Sequence, residues 1–84
     1  MFAQIKQDHN FRFNYDSEHD VLYVYFGEPK ISYEDETAPG VFIRIAESDE
    51  TITGVIILDY KKKNRTNIKI PVNINFNEIN LNIN

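Results

Sequence analysis

The sequence predicts an all-β or mainly β protein: a small antiparallel β-meander of four to six strands, with an extended, strand-like C-terminal segment. Composition is the first reason, since the chain has 12 Ile, 5 Val and 4 Thr but only 3 Ala and 3 Leu. β-Branched residues favour the pleated surface of a sheet, whereas helices favour Ala and Leu. The second reason is the alternation of apolar and polar residues, which is typical of strands with one buried face. At 84 residues the chain is expected to form one domain, 1–84, with a modest core.

The first two predicted strands form a hairpin. In residues 11–15 aromatic side chains alternate with Arg12 and Asn14, which predicts a strand with one buried face. A polar stretch, 16–20, separates it from residues 21–26, which are apolar at nearly every position. Such a run is expected to form the central strand of the sheet, where both faces of a strand are covered.

Three further strands are predicted after this hairpin. Residues 31–33 begin a short, poorly covered strand, and Ala38-Pro39-Gly40 is a strong turn signal. Residues 41–46 have a β-branched aliphatic side chain at every second position, which predicts a strand. Residues 51–58 form the next predicted strand. Gly54 inside that strand indicates a β-bulge or a close approach of another backbone.

The remaining third of the chain has a different pattern. A core over residues 11–60 is followed by a basic loop, 61–66, and an alternating segment, 67–84. Pro71 cannot donate a ladder hydrogen bond, so this segment is expected at a sheet edge. An apolar edge strand is open to pairing with a second copy or a protein partner, although the tail could instead fold back onto its own sheet. The candidate interface residues are Ile68, Ile70, Val72, Ile74 and Phe76.

Charge is unevenly divided along the chain. Residues 1–60 carry a formal charge of −8, and residues 61–84 carry +4. The basic residues of the second part could contact nucleic acid through its phosphates, or they could form a solvated loop on an acidic domain. The overall charge of −4 repels nucleic acid at long range. The candidate contacts are Lys61, Lys62, Lys63 and Arg65.

No residue pattern predicts a catalytic, cofactor or metal site. The chain has no cysteine, and its three glycines are isolated rather than arranged as a phosphate loop. Asp16, Glu18 and Asp20 are spaced like the start of a calcium loop, but the sixth and twelfth positions hold Val21 and Gly27. We therefore expect no enzyme activity and no cofactor. A small metal-dependent enzyme built on these acids and His19 is the least favoured hypothesis.

Nothing in the sequence predicts a membrane segment or export. The longest apolar run, residues 55–58, is far shorter than the roughly 20 residues of a membrane-spanning helix. Residues 1–6 lack the pattern of a secretory signal. A cytoplasmic protein with no membrane contact is the expectation.

Two motifs resemble the small prokaryotic family catalogued as domain of unknown function 2283. The first is Tyr15-Asp16-x-x-x-Asp20-x-Leu22-Tyr23-Val24, and the second is Gly54-Val55-Ile56-Ile57-Leu58-Asp59. The resemblance covers residues 13–60. It departs from the family pattern at Ile56 and Arg44, where the family has acidic residues, and this weakens the case for a shared carboxylate site.

The resemblance implies a small β-rich domain and no defined activity. Some family members are encoded beside small toxin-like proteins, which implies an antitoxin-like or other partner-binding role. The favoured hypothesis is therefore a non-enzymatic protein-interaction module that works as a homo-oligomer or with a small protein partner. A nucleic-acid-binding regulator is the alternative. The motif residues are expected to be structural: Tyr15, Asp16, Asp20, Leu22, Tyr23 and Gly54.

Overall fold

Five antiparallel strands form a single sheet, which confirms the predicted mainly β class. The computed structural model describes residues 11–63 and 68–83. A 3₁₀ turn, Tyr60–Lys62, follows the last strand. The other elements are β1 (Phe11–Asp16), β2 (Val21–Phe26), β3 (Ser32–Ala38), β4 (Val41–Ala46), β5 (Ile52–Leu58) and α1 (Phe76–Ile83).

The strand order is β1-β2-β5-β4-β3, so the sheet combines a hairpin with a three-stranded meander. β1 and β2 form the hairpin, and the β2–β5 pair joins it to the meander β3–β4–β5. β5, rather than residues 21–26 (β2) as predicted, takes the middle position. Both strands are apolar on both faces, and both lie inside the sheet, where strands are best covered. β3 carries three consecutive acids, which suit an exposed sheet edge.

The hydrophobic core lies on one face of this sheet. Leu22 and Val24 of β2 and Val55 and Ile57 of β5 are fully buried there. The C-terminal part of the chain covers them, with Ile79 of α1 also fully buried. The 69 described residues therefore form a two-layer structure, a sheet covered on one face by the tail.

The prediction of a strand-like segment over residues 67–84 is wrong. Residues 68–75 contain no strand, and α1 occupies the end of the described tail. Strand-like alternation would place Ile79, Leu81 and Ile83 on one face, but Leu81 is 85% exposed while Ile79 is fully buried. The buried spacing in α1 is Phe76, Ile79 and Ile83, which is the three-and-four spacing of a helix face.

A side-chain cap explains why α1 forms in this Asn-rich segment. The Asn75 side-chain oxygen accepts the backbone N–H of Glu78 at 3.1 Å, as in the N-cap arrangement that satisfies an otherwise unpaired helical amide. Ile74 before the cap and Ile79 in the helix both contact the core, in the positions of a hydrophobic staple. Local capping and core burial thus outweigh the low helix propensity of the asparagines.

The candidate interface residues lie against the core of their own chain. Ile68, Ile70, Val72 and Ile74 are partly buried and pack on it, and Phe76 is buried. The tail therefore folds back onto its own sheet, which was the second of the two arrangements considered from the sequence. Among the described residues, no helix is long and apolar enough to cross a membrane.

Gly54 lies where two backbones come unusually close. A Cβ atom at this position would be 2.6 Å from the carbonyl oxygen of Val24, closer than real Cβ atoms come. The pairing of β4 with β5 also shifts register here, so that Thr53 is the extra residue of a bulge. Both features that the sequence predicts for Gly54 are present.

The docking of α1 is tested by a matched pair of truncations. Ile79→Ala should lower the free energy of unfolding by about 2–4 kcal/mol, because it leaves a cavity under the helix. Leu81→Ala, on the exposed side of the same helix, should change it by less than about 0.5 kcal/mol. Urea unfolding of both variants measures the difference. Equal effects would contradict the helical assignment.

Candidate functional site

The carboxylate of Asp20 connects the first hairpin to the chain that follows β5. The Tyr15 hydroxyl donates to it at 2.7 Å. The backbone N–H of Lys61 donates to both of its oxygens, at 3.0 and 3.3 Å. Asp20 itself adopts a left-handed conformation, with φ of 58°, which Asp and Asn tolerate better than most residues. The two aspartates of the motif therefore have different roles, and Asp20 forms hydrogen bonds with a segment that is distant in sequence.

Tyr60 completes this connection. Its side chain is fully buried, and its backbone N–H donates to the Asp20 carbonyl at 3.0 Å. Its hydroxyl donates to Asn80 Oδ1 at 2.6 Å, and its ring contacts Tyr15 edge-on with centroids 6.2 Å apart. We call Tyr15, Asp20, Tyr60 and Lys61 the clasp, because together they hold the hairpin turn, the end of β5 and α1.

The clasp also determines the ionisation of Asp20. Its partial burial opposes the charged form, but hydrogen bonds from the Tyr15 hydroxyl and the Lys61 N–H outweigh this and lower the pKa of Asp20. The two nearby lysine charges act in the same direction. Asp20 is thus a paired structural carboxylate at neutral pH and lacks the raised pKa that suits a general acid.

Asp16 forms a separate, local arrangement in the hairpin turn. One of its oxygens accepts the backbone N–H groups of Glu18 and His19, at 3.1 and 3.2 Å. Its other oxygen lies 2.9 Å from His19 Nδ1, and this contact lowers the pKa of Asp16. The turn therefore brings ligand-type atoms of Asp16, Glu18 and His19 within 4.8 Å of one another. Asp20 is held apart from this group by the clasp, and the hydrogen bonds of Asp16 are those of an ordinary turn.

The other motif residues divide between the two faces of the sheet. Leu22 is fully buried in the core, and Tyr23, the next residue along β2, points to the opposite face. Gly54 allows β2 and β5 to approach, as described above. The motif thus specifies the turn, the core and the closest strand pair.

The candidate nucleic-acid contacts that the structure describes are three lysines, and each of their ammonium groups contacts a neighbouring group of the same chain. The Lys61 ammonium lies 5.4 Å from the centre of the Tyr15 ring, a cation–π contact. Lys62 Nζ is 3.9 Å from Asp59, and the Lys63 ammonium donates to the Leu58 carbonyl. Arg65 lies outside the described residues.

The sheet face opposite the core carries a row of large side chains, which we call the open face. Tyr23 of β2 and Phe42 of β4 flank Ile56 of β5 in the pairing register. Asn14 and Glu36 end this row on the two edge strands. All three apolar members are only partly buried, and none belongs to the hydrophobic core of the described residues.

Sequence reasoning missed the clasp partner and the open face. No local pattern in the sequence reveals that Tyr60 meets Asp20, 40 positions earlier in the chain. The open face could have been found from alternation, because Tyr23, Phe42 and Ile56 each lie between core residues on their strands.

Comparison with known proteins places most of this structure in one family. Residues 12–66 match the sequence model of the family described as "Protein of unknown function (DUF2283)". The match includes both motifs, the five strands almost entirely and the clasp. No curated protein and no solved structure matches the chain significantly.

The structural role of Asp20 predicts a pH-dependent loss of stability. Asp20→Asn retains the backbone conformation but removes the charge, so we expect about 1–2 kcal/mol lower stability at pH 7. Because the folded pKa of Asp20 is lowered, its stabilisation is present above about pH 4 and is lost as the pH falls through that folded pKa. The gap between wild type and variant should therefore shrink below about pH 4 in urea unfolding.

Asp35→Asn is the matched control, because it makes the same charge change at an exposed position of β3. It should stay within about 0.5 kcal/mol of wild type at every pH. A gap for Asp20→Asn that grows in acid, or equals that of Asp35→Asn, would contradict the structural role.

Proposed function

The chain belongs to the DUF2283 family of proteins of unknown function, and we propose that it is a non-enzymatic protein-interaction module that pairs with a second copy of itself. The observation that carries the proposal is the asymmetry of the sheet. One face is covered by the tail, while the other presents Tyr23, Phe42 and Ile56 side by side outside the core. Contiguous apolar side chains on a surface are typical of interaction sites, and aromatic residues are enriched there.

A second copy fits this face because its central row is self-complementary. β5 is the middle strand, with two strands on each side. Consider a two-fold axis that runs parallel to β5, midway between the open faces of the two copies. It would bring Ile56 of each copy together and would place Tyr23 of one copy opposite Phe42 of the other. The same operation would place Asn14 opposite Glu36, an amide donor facing a carboxylate acceptor. Two sheets packed in this way form an aligned sandwich.

The geometry of the titratable groups favours binding over catalysis. Asp20 is engaged in the clasp, and Asp16 is held by its own turn. General acid–base catalysis needs a group whose pKa lies near the working pH, whereas both of these values are lowered. We therefore extend the proposal to the absence of enzyme activity. The resemblance to a prokaryotic family separately supports a prokaryotic source, and we also propose a cytoplasmic location.

A different small protein could occupy the same face in an antitoxin-like complex. Co-expression with the product of the adjacent gene distinguishes this occupant from a second copy. The nucleic-acid alternative has less support, because Lys61 and Lys63 are held by neighbouring groups and the net charge is −4.

Sedimentation equilibrium tests the self-association. At ~100 µM the wild type should have twice the 9.9 kDa mass of the chain. A dimer with a dissociation constant in the micromolar range is populated at this concentration. Ile56→Lys should be a monomer, because it puts a charge at the centre of the apolar row. Leu81→Lys, the same change on the exposed side of α1, should remain a dimer.

Circular dichroism should show that Ile56→Lys keeps the sheet, since Ile56 lies outside the core. A monomeric wild type would contradict self-association. A dimer that survives in Ile56→Lys would contradict the assignment to the open face.

A further inference from the structure

We propose that a second site, at one end of the open face, binds a small organic carboxylate between two arginines. A pocket of about 180 Å³ opens there between the sheet and the loop that connects β2 to β3. Arg12 and Arg44 line it from the sheet, and Lys30 lines it from the loop. This inference goes beyond the proposed self-association and does not depend on it.

The pocket concentrates positive charge in an acidic part of the chain. Residues 1–60 contain four basic side chains and carry a formal charge of −8. Three of the four, Arg12, Lys30 and Arg44, line this one pocket, with Glu28 as the only acid among the lining residues. The fold therefore brings together cations that lie 14 to 32 positions apart in sequence.

The pairing register explains how the two arginines come to share a site. Arg12 is paired with Tyr25, Tyr25 with Gly54, and Gly54 with Arg44, so all four lie in one row across the sheet. Gly54 has no side chain, so the side chains of Tyr25 and Arg44 close over it, each within 4 Å of where its Cβ would lie. The glycine that permits the close strand approach thus also lets Tyr25 and Arg44, which both line the pocket, lie close together.

Arg44 supplies the strongest indication of an anionic ligand. Among the described residues, its buried Nε–H has no hydrogen-bond partner. Glu34 forms an ion pair with this group, but its oxygen lies 3.5 Å from Nε, too far for a good hydrogen bond. A buried guanidinium N–H without a hydrogen bond costs free energy. The Arg44 side chain is 28% exposed, and a carboxylate that it turned to meet would remove that cost.

The other two cations keep donors for a ligand. The Arg12 Nη2 group donates to the Gly27 carbonyl at 2.8 Å, and a guanidinium has five N–H groups in all. Lys30 pairs with Asp49 at 2.9 Å, and this contact, together with hydrogen bonds from Thr51, lowers the pKa of Asp49 to about 2. Both partners of that ion pair are well exposed, and such pairs contribute little, so Lys30 can turn to a ligand at small cost.

The shape and walls of the pocket favour a carboxylate with an apolar body. Tyr25, Phe26 and Pro29 line it together with the cations. The Arg12 guanidinium lies 5.6 Å from the centre of the Tyr25 ring, which holds its planar group over an aromatic surface. Guanidinium groups bind carboxylates through two parallel hydrogen bonds, and the apolar walls would contact the rest of the ligand.

Titration with benzoate, followed by two-dimensional ¹H–¹⁵N NMR, tests the proposal. Benzoate should shift the Arg44 Nε–H resonance and the backbone amides of Lys30 and Thr53 at up to ~10 mM ligand. Benzamide, which has the same shape and no charge, should leave these resonances unchanged. Inorganic phosphate in a separate titration reports on binding of any anion.

Three variants complete the experiment. Arg44→Gln and Arg12→Gln should each weaken benzoate binding about tenfold or more, because each removes a charge-assisted pair of hydrogen bonds. Lys69→Gln makes the same charge change at an exposed residue outside the pocket and should bind like the wild type. Lys30→Gln, in the exposed loop, provides a further test should Arg44→Gln fail to fold.

Localised benzoate shifts that are lost in the arginine variants would establish the site. The absence of benzoate shifts, equal shifts with benzamide, or unchanged affinity in Arg44→Gln would each overturn it. Phosphate binding without benzoate binding would overturn the carboxylate assignment.

Discussion

The hydrogen bonds between the Asp20 carboxylate and the Lys61 backbone are the constraint on which the rest of the structure depends. They fix the turn of the first hairpin to the chain just after the middle strand, 41 positions later. Tyr60 is thereby placed in the core, where it meets Tyr15 on one side and α1 on the other. The Asp20–Lys61 hydrogen bonds add to the β2–β5 pair and to the Tyr60 N–H bond with the Asp20 carbonyl, which also join the hairpin to the meander.

The clasp also explains why the two faces of the sheet differ. By placing Tyr60 on the core side, it directs the following chain across that face, where the tail buries Leu22, Val24, Val55 and Ile57. The described residues thus form two layers, with the tail on the core side of the sheet. The open face and the arginine pocket are the consequence, and they are where we place the contacts of this protein with other molecules.

The strands were predictable from sequence because each is specified by its own alternation and by local turn residues. Residues 11–15 and 41–46 show this clearly, and Gly54 predicted the bulge or a close backbone approach at its position. The strand order was not predictable in detail, because pairing of β2 with β5 is a long-range choice. The prediction of a strand-like tail is wrong because the Asn/Ile alternation resembles that of a strand. The N-cap at Asn75 and the spacing of Phe76, Ile79 and Ile83 indicate a helix instead. For the site, the motif residues were found, but their partners Tyr60 and Lys61 belong to tertiary structure.

Hydrogen exchange of the Lys61 backbone amide tests the central claim most directly. This N–H belongs to no strand, and its acceptors are the two oxygens of Asp20. If the clasp holds the fold together, the amide should exchange only on global unfolding, with protection similar to that of the amides in β5. In Asp20→Ala its protection should fall far below that of β5. Exchange of the wild-type Lys61 amide as fast as an exposed loop amide would contradict the account.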